Sequence, residues 1–308
     1  MVFAHTNHKI LYTEGLMVHK IRTDLAMERL NAAKMSHGRG RGVAGVTDRR
    51  TTICGIGVHT TTVESQDAAE VLCKPIGNYY TISLDKTIHR TDDSFSDTAQ
   101  CIAEILRRLL PQRERVLVAC LGNPNITPDA IGPEAAKSIM VTKHLKEALP
   151  AEFADFGAVS LICPGVLGTT GIETAAIVKG AVDAVQPQCV IAVDALAARG
   201  TDRLCRTVQI CNTGIEPGSG VGNRRFALNE ESLGVPVIAM GIPTVVDANT
   251  FIYDLTDGAP CRQGRGEGMF ITPREIDSFV HHSSKLLAYG INLALHKDLT
   301  LDDMELFT

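Results

Sequence analysis

Two aspartates stand where apolar runs of this chain end. Asp129 lies in "LGNPNITPDAIGP", Leu121 to Pro133, just past "RVLVACL", and Asp194 lies in "VIAVDALAAR". A pair of carboxyls can work on one water when one is held charged as a base and the other neutral as an acid. The local sequence offers a cause for each state. Thr127 as N-cap and Pro128 as first helical residue place Asp129 in a first turn, where the helix dipole favours the anion by roughly 0.3–1 kcal/mol. Asp194 leaves a buried apolar strand, where desolvation raises a carboxyl's pKa. Pattern alone equally allows a helix-start acid and a strand-end acid with no shared task.

Other stretches carry weaker chemistry. The loop "NTGIEPGSGVGN", Asn212 to Asn223, has glycines at 214, 218, 220 and 222 and can turn backbone N–H groups toward a developing oxyanion. Its "GSGVGN" fails the dinucleotide pattern because the sixth residue is Asn223. Glu173 in "CPGVLGTTGIET" and His144 in "VTKHL" are a first-turn acid and a surface histidine, or, in a metal hydrolase, companions of the two aspartates as ligands. His281 and His282 are adjacent and point in different directions on a helix, and neither HExxH nor CxxC occurs. The expectation is no cofactor and no metal.

The elements that must hold these residues show in the periodicity. From Arg115 onward, nearly continuous apolar runs ("RVLVACL", "AVSLIC", "CVIAVD", "RTVQICN", "VPVIAMG") alternate with helical stretches ("PDAIGPEAAKSIMVTKHL", "GIETAAIVKGAVDAV", "TVVDANTFIYDL"). Strands buried on both faces and alternating with helices predict an α/β fold, a mostly parallel twisted sheet flanked by helices. In such a sheet ligands bind outside the carboxyl ends of the strands, which is where both aspartates emerge. Upstream, "TTICGIGV" and "NYYTISL" read as strands and "DTAQCIAEILRRLL" as a helix. Downstream, "DGAPCRQGRGEG" reads as a loop before a long helix marked by Ile276, Val280, Leu287, Ile291 and Leu295. Residues 1–45 read as a loosely packed arm or propeptide, and 46–308 as a single domain.

Composition narrows the class. The chain has 308 residues, 44% of them hydrophobic, and a net charge of −5, which favours neither nucleic acid nor an anionic membrane as partner. No apolar stretch approaches the roughly 20 residues of a membrane span. The nine cysteines are odd in number and mostly in apolar surroundings, as reduced thiols of a cytoplasmic protein are.

Several long ordered stretches together resemble the germination proteases of spore-forming bacteria: "LGNPNITPDAIGPEAAKSIMVTKHL", "CPGVLGTTGIETAAIVKG", "VIAVDALAAR", "ICNTGIEPGSGVGNRR" and "LGVPVIAMGIPTVVDA". The resemblance runs from about Lys20 to Leu295. It implies a fold similar to the hydrogenase-maturation endopeptidases, a homotetramer, and a location in the forespore or spore core. It also implies an atypical aspartic endopeptidase that degrades small acid-soluble spore proteins, with the "TPDA" and "DALAAR" aspartates, here Asp129 and Asp194, as catalytic residues. The family is made as a zymogen. "HKIRTDLAMERL", His19 to Leu30, resembles its processing region and implies self-cleavage in or near Ile21 to Glu28. Rival readings of the same acids are a metal-dependent hydrolase and a catalytically silent binding homologue.

Overall fold

The structure, a computed structural model, describes residues 22–36, 42–84, 93–111, 115–220, 226–256 and 268–307. In chain order the elements begin with helix α1 (Ala26–Ser36), strands β1 (Val46–Ile53) and β2 (Ile56–Val63), helix α2 (Gln66–Leu72), strand β3 (Gly77–Ser83), helix α3 (Asp93–Leu109) and strand β4 (Arg115–Cys120). A single 3-10 turn (Thr127–Asp129) leads to α4 (Ile131–Ala136), α5 (Lys143–Ala148), β5 (Ala158–Ile162), α6 (Leu167–Thr170), α7 (Thr174–Val185), β6 (Cys189–Ala198) and β7 (Thr207–Cys211). Then come α8 (Glu230–Leu233), β8 (Val237–Asp247), α9 (Ala248–Leu255), β9 (Phe270–Ile271), α10 (Ile276–Leu295) and α11 (Leu301–Phe307).

Among the described residues, nine strands join one sheet in the order β1-β2-β3-β7-β8-β6-β4-β5, with β9 against β8. The α/β expectation holds, but the sheet is mixed. β5, β4, β6 and β8 are parallel neighbours, whereas β7, β3, β2, β1 and β9 pair antiparallel. The antiparallel half begins as a hairpin inside "TTICGIGV". Cys54 and Gly55 both take positive φ, 48° and 74°, as a two-residue hairpin turn requires, and split the stretch into two strands.

Burial on two faces explains the continuous apolar runs. Val116, Val118 and Cys120 of β4 point into one core with Ile102, Ile105 and Leu106 of α3 and Leu287 and Ile291 of α10. Leu117, Ala119 and Leu121 point into a second core with Val178 and Val182 of α7. Each such aliphatic side chain contributes about 1.5–3 kcal/mol on burial.

Three expectations of detail differ. "PDAIGPEAAKSIMVTKHL" is no single helix: the fully buried Asn292 of α10 accepts the Met140 N–H at 2.9 Å and donates to the Ser138 carbonyl at 2.8 Å, taking backbone groups a helix would need. "TVVDANTFIYDL" begins as strand, because Asp247 is the N-cap of α9 and accepts the Thr250 N–H at 3.0 Å, so the helix starts at Ala248. The stretch before Gly45 is not loose where it is described. Leu25, Ala26, Met27 and Leu30 are buried, and α1 packs in a third core with Val63, Leu72 and Tyr79. Most of the loop expected at Asp257 to Gly268 lies outside the described residues.

Candidate active site

A turn, not an α-helix, sets Asp129. After β4, Leu121 donates its N–H to the Val193 carbonyl at 2.8 Å, and the chain then reverses at Gly122. There φ is +113°, and a Cβ would meet the Asp129 carbonyl oxygen at 2.0 Å, so glycine is required. The 3-10 turn that follows has Ile126 as N-cap without a side-chain bond, so the expected Thr127 cap and α-helical first turn are absent. Two bonds fix it instead. The Asp129 Oδ2 accepts the Asn123 N–H at 2.9 Å, and Thr244 of β8 donates Oγ1–H to the Pro128 carbonyl at 2.6 Å. Burial raises the Asp129 carboxyl above its ordinary pKa, and the Asn123 bond opposes the rise.

Asp194 sits inside β6 rather than at its end, opposite Gly241 of β8. A Cβ on Gly241 would lie 2.3 Å from the Asp194 carbonyl oxygen, so the two backbones can approach this closely only with glycine there. The Asp194 side chain is buried, 6% exposed, and accepts the Ala195 N–H at 2.9 Å. Burial first, and then the like charge of Asp129, push its pKa well above the usual carboxylate range; Asp24 adds to the rise and the Ala195 bond opposes it.

The two acids line one cleft of about 510 Å³ at the carboxyl edge of the parallel strands. Thus the structure brings together the pair the sequence singled out. Both carboxyls are raised, so their asymmetry is one of degree, with Asp194 the harder to ionise. The glycine loop also borders the cleft, through Gly214, Gly218 and Gly220; Gly222 and Asn223 lie outside the described residues. His144 is exposed on α5 and Glu173 is the N-cap of α7; the cleft lining includes neither. Among the described residues, no three His, Cys, Asp or Glu side chains cluster as a metal site would need.

Comparison with known proteins adds a decisive finding. The germination protease family model matches residues 23–259. This chain belongs to the germination protease family. It is 39% identical to the germination protease of Clostridium perfringens, covering 94% of this chain and 99% of that one. It is 41% identical to that of Caldanaerobacter subterraneus (94% and 98% covered) and 32% identical to that of Bacillus pumilus (94% and 97% covered). Among solved structures it is similar to a NiFe hydrogenase maturation protease from Thermococcus kodakarensis at TM-score 0.35 and 18% identity, covering 61% of this chain and 98% of that one.

In this germination protease homologue one further cleft residue escaped the sequence reading. Asp24 enters the site from the segment before α1. Its N–H donates to the Ala197 carbonyl at 2.9 Å, and its Oδ2 accepts the Ala197 N–H at 2.9 Å, so the segment lies along the end of β6. Oδ1 accepts the Ser219 hydroxyl at 2.7 Å, and the Asp24 carbonyl accepts from Gln209 at 2.9 Å. Glu28 anchors the same segment by accepting the Arg199 and Gly200 N–H groups at 2.7 and 3.1 Å. Burial lowers the pKa of the neighbouring cleft residue Lys74, and the charge of Asp24 opposes the fall. No local signal marks Asp24 as a cleft residue, because its hydrogen-bond partners Ala197, Gln209 and Ser219 are all more than 170 residues away.

Proposed function

We propose that this germination protease is an endopeptidase of atypical aspartic type. In this reading Asp129, the less perturbed acid, accepts a proton from a water, which attacks the scissile carbonyl. Asp194, kept protonated by burial and by its charged neighbour, donates to the departing amine. Proton transfer by a positioned carboxyl contributes typically about 10²–10⁴-fold in rate. A coupled pair shares its protons, so its two apparent pKa values belong to the pair. The observation that carries the reading is the convergence of two electrostatically coupled carboxyls in one cleft. Backbone N–H groups of the glycine loop are the donors we assign to the oxyanion.

The resemblance supports small acid-soluble spore proteins as substrates, action in the spore core, assembly as a homotetramer, and synthesis as a zymogen cut in or near Ile21 to Glu28. Thr23, Leu25, Ala26, Met27 and Glu28 are buried. A cut among them would have to extract a bonded segment, which favours the start of that window.

The test is digestion of a purified small acid-soluble spore protein. Asp129→Asn and Asp194→Asn are each expected to lower the cleavage rate by at least about 10²-fold with an unchanged far-UV spectrum. Full activity in either variant sinks the pair. Exhaustive chelation is expected to leave the rate unchanged; loss restored by a divalent cation would favour the metal-hydrolase reading.

A further inference from the structure

One pair of thiols stands apart from the chemistry above. β4 and β5 run parallel in the register Val118↔Leu161 and Ala119↔Ile162, so Cys120 and Cys163 are the next residues abreast. Side chains alternate along a strand. Val116, Val118 and Cys120 face the larger core, as do Val159 and Leu161 of β5, so Cys163 follows onto the face of Cys120. The thiols meet there, with the Cys120 S–H donating to the Cys163 sulfur. β5 is the edge strand of the sheet; Cys163 is exposed and Cys120 buried. Adjacent strands lie about 4.8 Å apart, within the roughly 4.4–6.8 Å that disulfides span between Cα atoms.

We propose that Cys120 and Cys163 form a redox-active dithiol which a hydroperoxide converts to a disulfide, closing a covalent lock at the rim of the cleft. The exposed Cys163 is the attacking sulfur. The hydrogen bond from Cys120 lowers its pKa below the ordinary thiol value, which enriches the reactive thiolate. Its sulfur attacks one peroxide oxygen, the O–O bond breaks, and the other oxygen leaves as water (or an alcohol) with a proton. Cys163 is then a sulfenic acid. The Cys120 sulfur attacks it, forming S–S and breaking S–O, and the departing hydroxide takes up the Cys120 proton as water. Two thiols supply the two electrons that reduce the peroxide.

The lock acts on the site proposed above. Each strand end leads into the cleft lining, Leu121 and Gly122 on one side and Gly165 to Leu167 on the other. Asn123, whose N–H holds the Asp129 carboxyl, is three residues from Cys120. A bond of about 2.05 Å with a narrow dihedral range ties these two strand ends to one geometry. A displacement of about 1 Å at a catalytic group can cost on the order of 10²-fold in rate.

The experiment treats the fully reduced, self-processed enzyme with hydrogen peroxide and follows three readouts: intact mass, a non-reducing peptide map, and cleavage of a small acid-soluble spore protein. The expected result is loss of two hydrogens, a peptide linking Cys120 to Cys163, and a fall in rate of about tenfold or more that dithiothreitol reverses. Cys163→Ser is expected to keep its rate through the same treatment; Cys120→Ala, which removes only the buried partner, is expected to form no linked peptide. Disulfides elsewhere only, a sulfinic or sulfonic Cys163 without linkage, or a linked peptide with an unchanged rate would each overturn the proposal. A reduced enzyme that never cleaves the substrate would instead count against the proposed function, since the map does not depend on turnover.

Discussion

The pKa of Asp194 is raised by what surrounds it, and one of those surroundings is adjustable. Asp24 adds a like charge to a carboxyl already raised by burial and by Asp129. Replacing Asp24 by Asn keeps the shape and removes the charge, so the Asp194 pKa falls. If the protonated Asp194 is the acid, the basic limb of the pH–rate profile moves to lower pH in Asp24→Asn, while the acidic limb, which belongs to the coupled Asp129, moves less. A profile that overlays that of the parent would show that Asp24 serves the fold alone. That Asp129 and Asp194 share the parallel half was legible in the sequence, because one follows and the other lies in an apolar run that becomes a strand there. Asp24 was not, since a carboxyl's partners across the fold leave no trace in the residues beside it. The dipole argument for Asp129 failed for a related reason: the proline that suggested a helix start supports a 3-10 turn of only three residues.

Among the elements, the parallel group β5-β4-β6-β8 was readable from its double-sided apolar runs, while the breaks between elements were not. Where "PDAIGPEAAKSIMVTKHL" stops being helical is decided by Asn292, more than 150 residues later in the chain. The junction of β6 and β8 is sensitive to change. Gly241→Ala would put a methyl against the Asp194 carbonyl and the Leu196 side chain, at 2.3 and 2.9 Å. Overpacking of this kind costs about 1–3 kcal/mol. Urea unfolding is expected to show that loss, and the cleavage rate is expected to fall with it because the strand carrying Asp194 must shift. A variant as stable and as active as the parent would mean the sheet yields there more easily than its packing indicates.

For the whole molecule, acid stability turns on a histidine far from the cleft. His296 follows α10, is 2% exposed, and stacks against Phe156 at 5.1 Å between ring centroids. Burial, aided by Lys146, pushes its pKa from 6.5 down to about 4, and both ring nitrogens are buried without a hydrogen-bond partner among the described residues. Between those two values the unfolded chain binds a proton that the folded one refuses, so stability falls as pH drops through that window. The contribution is on the order of 3 kcal/mol. The raised carboxyls Asp194, Asp129 and Glu28 act in the opposite sense, adding stability on acidification. Comparing His296→Leu with the parent isolates the histidine: the variant's melting temperature is expected to fall less between pH 6.5 and 4. Equal slopes would place the acid sensitivity elsewhere.

The segment that brings Asp24 to the cleft has a consequence for synthesis. Asp24 leaves the ribosome before its partners Ala197, Gln209 and Ser219, which follow 173, 185 and 195 residues later. At about 5–20 residues per second, roughly 10–40 seconds separate the two events. For that interval a nascent chain holds one wall of its cleft with nothing to close against.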